Sequence, residues 1–273
     1  KSRAVQVSFR VTLPSFESDN MRLRIEHTTT LTYDQPISEA YTEMRLKPLD
    51  ADGQRCLAFQ LKTEPQDAVL RYSDPFGNDV RHFDVIQPHQ RLMVAAISDV
   101  LTPEVYTADS SLLSPLDEFD FLAPTGYAPH TAELIAFSDS HTVPGDSFAT
   151  AQALVHTIHD TIVYEKGATD VTTAADKALS LGRGVCQDFS HIMLAVCRIQ
   201  SIPARYVSGY LYNNGHTAAS HAWVDILIPE RGWVSLDPTH NREQTAQYDR
   251  VAVGRDYADV PPTRGGFKGK GKE

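Results

Sequence analysis

Cys186 follows Gly182-Arg183-Gly184-Val185 and opens a stretch in which Phe189, Met193, Val196 and Cys197 recur at helical spacing, to about Gln200. The spacing predicts a helix that starts at or just before this cysteine. A thiol there meets unpaired backbone N–H groups and the positive end of the helix dipole, which together stabilise a thiolate. The same N–H groups can hold a developing oxyanion. The alternative for any free cysteine is an inert, buried thiol. Cys197 fits that alternative, since it lies mid-helix among apolar neighbours. The two cysteines are eleven residues apart. On one helix that is about 16 Å, too far for a disulfide.

A nucleophilic thiolate needs a base, and the base needs an orienting group. Two strand-like runs near residues 221–237 offer both. In Ser220-His221-Ala222-Trp223-Val224-Asp225-Ile226-Leu227-Ile228 the aliphatic face is Ala222, Val224, Ile226 and Ile228, so His221, Trp223 and Asp225 point the other way. In Trp233-Val234-Ser235-Leu236-Asp237 the aliphatic face is Val234 and Leu236, so Trp233, Ser235 and Asp237 point the other way. If Pro229–Gly232 closes an antiparallel hairpin with both aliphatic faces on one side, His221 and Asp237 become diagonal neighbours. An unbulged four-residue loop would break that parity. Taken singly, a strand histidine is usually a surface or satisfied polar group, and an aspartate before proline is often turn chemistry. Cys186, His221 and Asp237 together are the nucleophile, base and orienter of a triad.

The elements that must position them divide the chain. From Met21 to about Val100 the pattern is short alternating strands separated by turns such as Asp50-Ala51-Asp52-Gly53 and Asp74-Pro75-Phe76-Gly77-Asn78. Residues 21–100 are expected to form a β-rich, sandwich-like antiparallel domain without catalytic side chains. Residues 1–20 read as an extension ahead of a start at Met21. Residues 101–145, rich in Pro, Ser and Asp, read as a connecting segment with little regular structure. Residues 146–263 carry helices first, near 147–162, 174–181 and 184–200, with Ser147 as candidate N-cap. Strands follow near 204–212, 222–228 and 233–236. That order indicates an α+β core rather than a doubly wound sheet. The Gly- and Lys-rich tail 264–273 is expected to be mobile.

The chain has 273 residues, with 25 basic and 35 acidic side chains. The imbalance lies in residues 1–150, with 12 basic and 22 acidic groups, against 13 of each in 151–273. No basic field marks a nucleic-acid partner, and no apolar run is long enough for a membrane span. Three cysteines make no disulfide framework, so the expected compartment is the cytoplasm. His156 and His159 share a helix face but lack an HExxH or cysteine pair. No EF-hand loop is present, and no Walker lysine follows Gly182-Arg183-Gly184. No metal or cofactor is expected.

Four blocks occur in order: Gly182–His191 (GRGVCQDFSH), Ile202–Tyr210 (IPARYVSGY), Ser220–Val224 (SHAWV) and Gly232–Thr239 (GWVSLDPT). They resemble the transglutaminase-like superfamily, in its bacterial branch described as candidate cysteine proteases. The resemblance extends to Val251–Val260 and, through Tyr33-Asp34-Gln35-Pro36 and Asp74–Asn78, to the N-terminal half. It implies a papain-like α+β core with Cys186 as nucleophile, His221 as base and Asp237 as orienter. His240 stands where the pattern leads us to expect Asn, outside the triad. The expected activity is thiol hydrolysis of peptide or glutamine-type amide bonds through a thioester. Two alternatives are glutamine transfer to amines, and a binding module that has lost its chemistry. Hydrolysis is favoured because the polar segment 213–219 ahead of His221 offers no aromatic wall against water, although Trp223 and Trp233 could shield part of the site. The expected partner is a peptide or protein substrate. The sequence leaves the oligomeric state open.

Overall fold

The computed structural model describes residues 4–17, 20–106, 114–213, 216–229 and 231–271. Residues 214 and 215 of the polar segment ahead of His221 therefore lie outside the described residues. The N-terminal half consists of β1 (Ala4–Glu17), β2 (Asn20–Met44), β3 (Arg55–Glu64), β4 (Leu70–Ser73), β5 (Asp79–Val85) and β6 (His89–Pro103). Then come α1 (Pro115–Leu122), α2 (Ala132–Asp139), α3 (Ser147–Thr161), β7 (Val163–Tyr164), α4 (Ala175–Leu181), β8 (Arg183–Gly184) and α5 (Cys186–Ile199). The chain continues with β9 (Ala204–Asn213), β10 (His216–Ile228), β11 (Gly232–Asp237), β12 (Arg242–Glu243), β13 (Tyr248–Gly254) and β14 (Thr263–Gly269).

The sandwich-like half takes the form of one curled, seven-stranded antiparallel sheet, ordered β3-β6-β2-β5-β4, with β1 and β14 also on β2. The 25-residue β2 is its spine. Alternation at Arg22-Leu23-Arg24-Ile25-Glu26 buries Leu23 and Ile25. The curl lets Leu92, Val94 and Ala96 of β6 pack with Ile37 and Met44 of β2 and Phe83 and Val85 of β5. Residues 4–17, read as an extension, instead form β1 and pair with β2 from Ala4↔Thr32 to Glu17↔Asn20. The tail is not loose over 263–269: it pairs with β2 as β14, and the Phe267 ring lies 4.9 Å from that of Tyr33. Gly265 makes that pairing possible, because a Cβ there would lie 2.3 Å from the Tyr41 carbonyl oxygen.

The C-terminal half is a five-stranded antiparallel sheet, β12-β11-β10-β9-β13, against helices. Helix α5 is its centre, buried from Gln187 to Arg198 even at the polar Gln187, Asp188, Ser190, His191 and Arg198. Leu154 and Ile158 of α3 and Val224 and Ile226 of β10 share its core. The segment 101–145, expected to lack regular structure, contains α1 and α2. Ser114 and Thr131 cap them by accepting from the backbone N–H of Asp117 and Leu134. Helix α3 is capped by Asp146 rather than Ser147, through its side-chain bond to Ala149 N. The halves also meet: Leu23, Ile25 and Val100 pack with Tyr210, Ala246 and Val251.

Candidate active site

Cys186 is the first residue of α5, where the leading backbone N–H groups have no intrahelical acceptor. Asp188 locks the turn: its Oδ2 accepts from Val185 N at 2.7 Å and from Thr169 Oγ1 at 2.6 Å. The glycines before the cysteine serve this architecture. Gly182 ends α4 in the left-handed region, φ 63°, and a Cβ on Gly184 would lie 2.5 Å from Asp188 Oδ2. Gln187 holds the Val171 carbonyl at 3.1 Å. Cys197 is fully buried, and burial pushes its thiol up to about 12.

The hairpin that carries the other two residues keeps the expected parity. Ile228 pairs with Gly232 and Val224 with Leu236, leaving three residues between the strands. Odd-numbered residues of both strands therefore share one face, and His221 reaches diagonally to Asp237. Nε2 of His221 donates to Asp237 Oδ2 at 2.8 Å, which leaves Nδ1 for the Cys186 thiol, its other hydrogen-bond partner. The structure thus brings all three predicted residues together. His221 and Asp237 are buried, while Cys186 is partly accessible. Burial alone would lower the imidazole pKa, but the bonds and charges of Asp237 and Cys186 outweigh it and raise it to about 10. Burial also opposes ionisation of Asp237, yet its hydrogen bonds from His221 and His240 hold the carboxyl well below the usual carboxylate range.

Two members of this cluster were not expected from sequence. His240 Nδ1 donates to Asp237 Oδ2 at 2.7 Å, and Tyr248 Oη donates to the same oxygen at 2.6 Å. On the other carboxylate oxygen, Oδ1 accepts from Thr239 N at 2.9 Å and His240 N at 3.3 Å. His240 is therefore a direct neighbour of the triad's aspartate, not a detail of a remote loop. The only sequence signal was its departure from the expected Asn. Tyr248 comes from β13 and had no local signal. His159 Nδ1 meets the Thr239 carbonyl at 3.0 Å and His156 meets Asn241 at 3.0 Å, so the α3 histidines brace this loop. His221, Asp237 and His240 offer three potential metal-ligating atoms within 4.8 Å of one another, but both imidazoles already donate to the same carboxylate oxygen.

The remaining same-face residues have other tasks. Asp225 is fully buried and bonds Arg205 Nε at 2.9 Å, Ser235 Oγ at 2.6 Å and the Arg250 guanidinium. It ties β9, β10, β11 and β13 together. Trp223 stacks on His221, ring centroids 6.0 Å apart and 25° between planes. Trp233 instead lies under the Arg205 guanidinium, 4.2 Å from its ring centroid, and edge-on to Phe121.

Both halves of the chain resemble known proteins. Residues 137–238 match the transglutaminase-like superfamily core, and residues 23–101 match the bacterial transglutaminase-like N-terminal region. An uncharacterized protein of Mycobacterium leprae is 34% identical over 92% of this chain and 94% of its own length. A Mycobacterium tuberculosis protein, also uncharacterized, is 30% identical over 91% of this chain and 88% of its own. A protein-glutamine gamma-glutamyltransferase of Pseudomonas aeruginosa is 33% identical over 34% of this chain but only 16% of its own length. Among solved structures, one from Cytophaga hutchinsonii described as a candidate cysteine protease has a TM-score of 0.75 at 22% identity, covering 97% of this chain and 90% of that one. With both halves matched and near-full-length relatives at this identity, the chain belongs to the transglutaminase-like superfamily, in the branch that carries the bacterial N-terminal region.

Proposed function

We propose that this protein is a thiol hydrolase of peptide or glutamine-type amide bonds. The observation that carries the reading is His221, held between the Cys186 thiol and the Asp237 carboxylate. Cys186 Sγ attacks the amide carbonyl, and the carbonyl electron pair moves to oxygen, near the unpaired N–H groups at the start of α5. Collapse breaks the C–N bond, and the His221 imidazolium gives its proton to the departing amine or ammonia. Water, deprotonated by His221, then cleaves the thioester, and the proton returns to the Cys186–His221 pair. Asp237 keeps Nε2–H pointing at itself and so Nδ1 at the sulfur.

Transfer to an amine is the second reading, favoured by the local likeness to the Pseudomonas glutamyltransferase and by Trp223 stacked on His221. Water stands at about 55 M, so a millimolar amine must be favoured at least about four orders of magnitude, roughly 5.5 kcal/mol, to compete. That discrimination requires a built amine site. Supplying a glutamine peptide with excess monodansylcadaverine separates the two. Free acid should outrun amine incorporation; the reverse outcome replaces the hydrolase with a glutamine transferase. Release of neither product would favour a binding module.

A further inference from the structure

A cavity of about 610 Å³ lies between the curled sheet and the catalytic half. Its apolar walls include Phe9, Leu31, Tyr33 and Phe267, and its catalytic-side lining includes Ser220 and Val171. Ser220 immediately precedes His221, and the Val171 carbonyl is the group held by Gln187, the neighbour of Cys186. The cavity thus borders the chain segments that lead to Cys186 and His221, although neither residue lines it. Its size suits a large side chain with adjoining backbone.

The rim has a second property. Every residue from Pro262 to Phe267 lines the cavity, and among the described residues β14 pairs with β2 alone. The other edge of β14 has no strand partner among the described residues, and near its end Ser38 Oγ donates to the Lys268 carbonyl. An extended chain satisfies such an edge by strand addition, while its alternate side chains enter pockets. At Gly266 the space is open: a Cβ there would meet nothing within 4 Å.

We propose that this cleft binds the acyl-donor polypeptide in extended form along β14, with a large aromatic or aliphatic side chain in the cavity. The proposal rests on the hydrolase reading for the identity of its occupant. It assigns the N-terminal sheet and the returning tail to substrate selection.

Binding is measured without turnover, on the Cys186→Ala protein, by fluorescence anisotropy. The probes are fluorescein-labelled glutamine peptides whose residues preceding the glutamine are varied among Phe, Leu, Ala and Asp. The Phe and Leu peptides should bind about tenfold or more tighter than Ala and Asp, the preference a filled apolar pocket gives. Gly266→Trp, which costs no backbone strain and fills the cavity, should reduce that preference to about twofold or less. A thermal melt checks that this variant folds. If it does not, Leu31→Ala replaces it and should shift the preference toward larger side chains. Equal affinity for all peptides, or an undiminished preference in the filled variant, overturns the proposal. Turnover by the unmutated protein with no side-chain preference would do so while leaving the hydrolase intact. Selective binding without turnover would sink the hydrolase and keep the cleft.

Discussion

Replacing His240 by Ala perturbs the aspartate of the triad without replacing any triad residue. Asp237 accepts from five donors: His221 Nε2, His240 Nδ1 and Tyr248 Oη on one oxygen, Thr239 N and His240 N on the other. The substitution deletes only the His240 side-chain donor. A hydrogen bond to a charged acceptor contributes about 1.5–3 kcal/mol. His240 is 39% exposed, so water can take its place and the net loss falls to about 1 kcal/mol. That corresponds to roughly a fivefold fall in kcat/KM, with KM little changed. His240→Asn, whose amide can still donate, should stay within about twofold of the parent. The assay is steady-state hydrolysis of a chromogenic glutamine amide by the three proteins. A hundredfold loss in His240→Ala would mean that His240 takes part in proton transfer. A gain would mean that three donors on one oxygen compete and that removing one strengthens the bond to His221. Either result refutes the reasoning.

Iodoacetamide at neutral pH should label Cys186 first, because burial pushes Cys197 up to about 12 and Cys56 up to about 11; peptide mapping that finds Cys197 labelled as fast would count against a nucleophile at the start of α5. Gly209→Ala should destabilise the fold by about 1–3 kcal/mol or more in urea titrations, since its Cβ would lie 1.9 Å from the Asp249 carbonyl oxygen and 2.7 Å from the Trp223 ring. His221 is raised from 6.5 to about 10, so its stabilising contribution is complete below pH 6.5 and disappears as pH rises through 10. Asp237 is lowered, so its contribution holds above its unfolded value and fades as pH falls toward the folded one. Urea midpoints across pH should show the alkaline decline in the parent and lack it in His221→Gln.

The hairpin was legible because period two leaves no choice once both aliphatic faces are buried: Val224 and Leu236 had to coincide, and His221 and Asp237 followed. Helix α5 was legible from its apolar spacing. What surrounds Asp237 was not, because Tyr248 arrives on β13, whose place beside β9 is a long-range pairing with no local trace. Asp225 shows the limit of face arguments. It shares the face of His221, but its partners Arg205 and Arg250 sit on neighbouring strands and make it an ion-paired tie. Strand β14 was misread from Gly and Lys content, since its partner lies more than two hundred residues away in β2. Helices α1 and α2 were hidden by Pro, Ser and Asp, although Pro115 at the first turn and the Ser114 cap are themselves helix-start signals.

The most direct measurement is the intact mass of the protein after acid quench during turnover of a glutamine peptide, followed by peptide mapping. The account predicts a mass gain equal to the acyl portion of the peptide, located on Cys186, removed by hydroxylamine and absent from Cys186→Ala. Continued turnover in Cys186→Ala, or an acyl group mapped to Cys56 or Cys197, would contradict it.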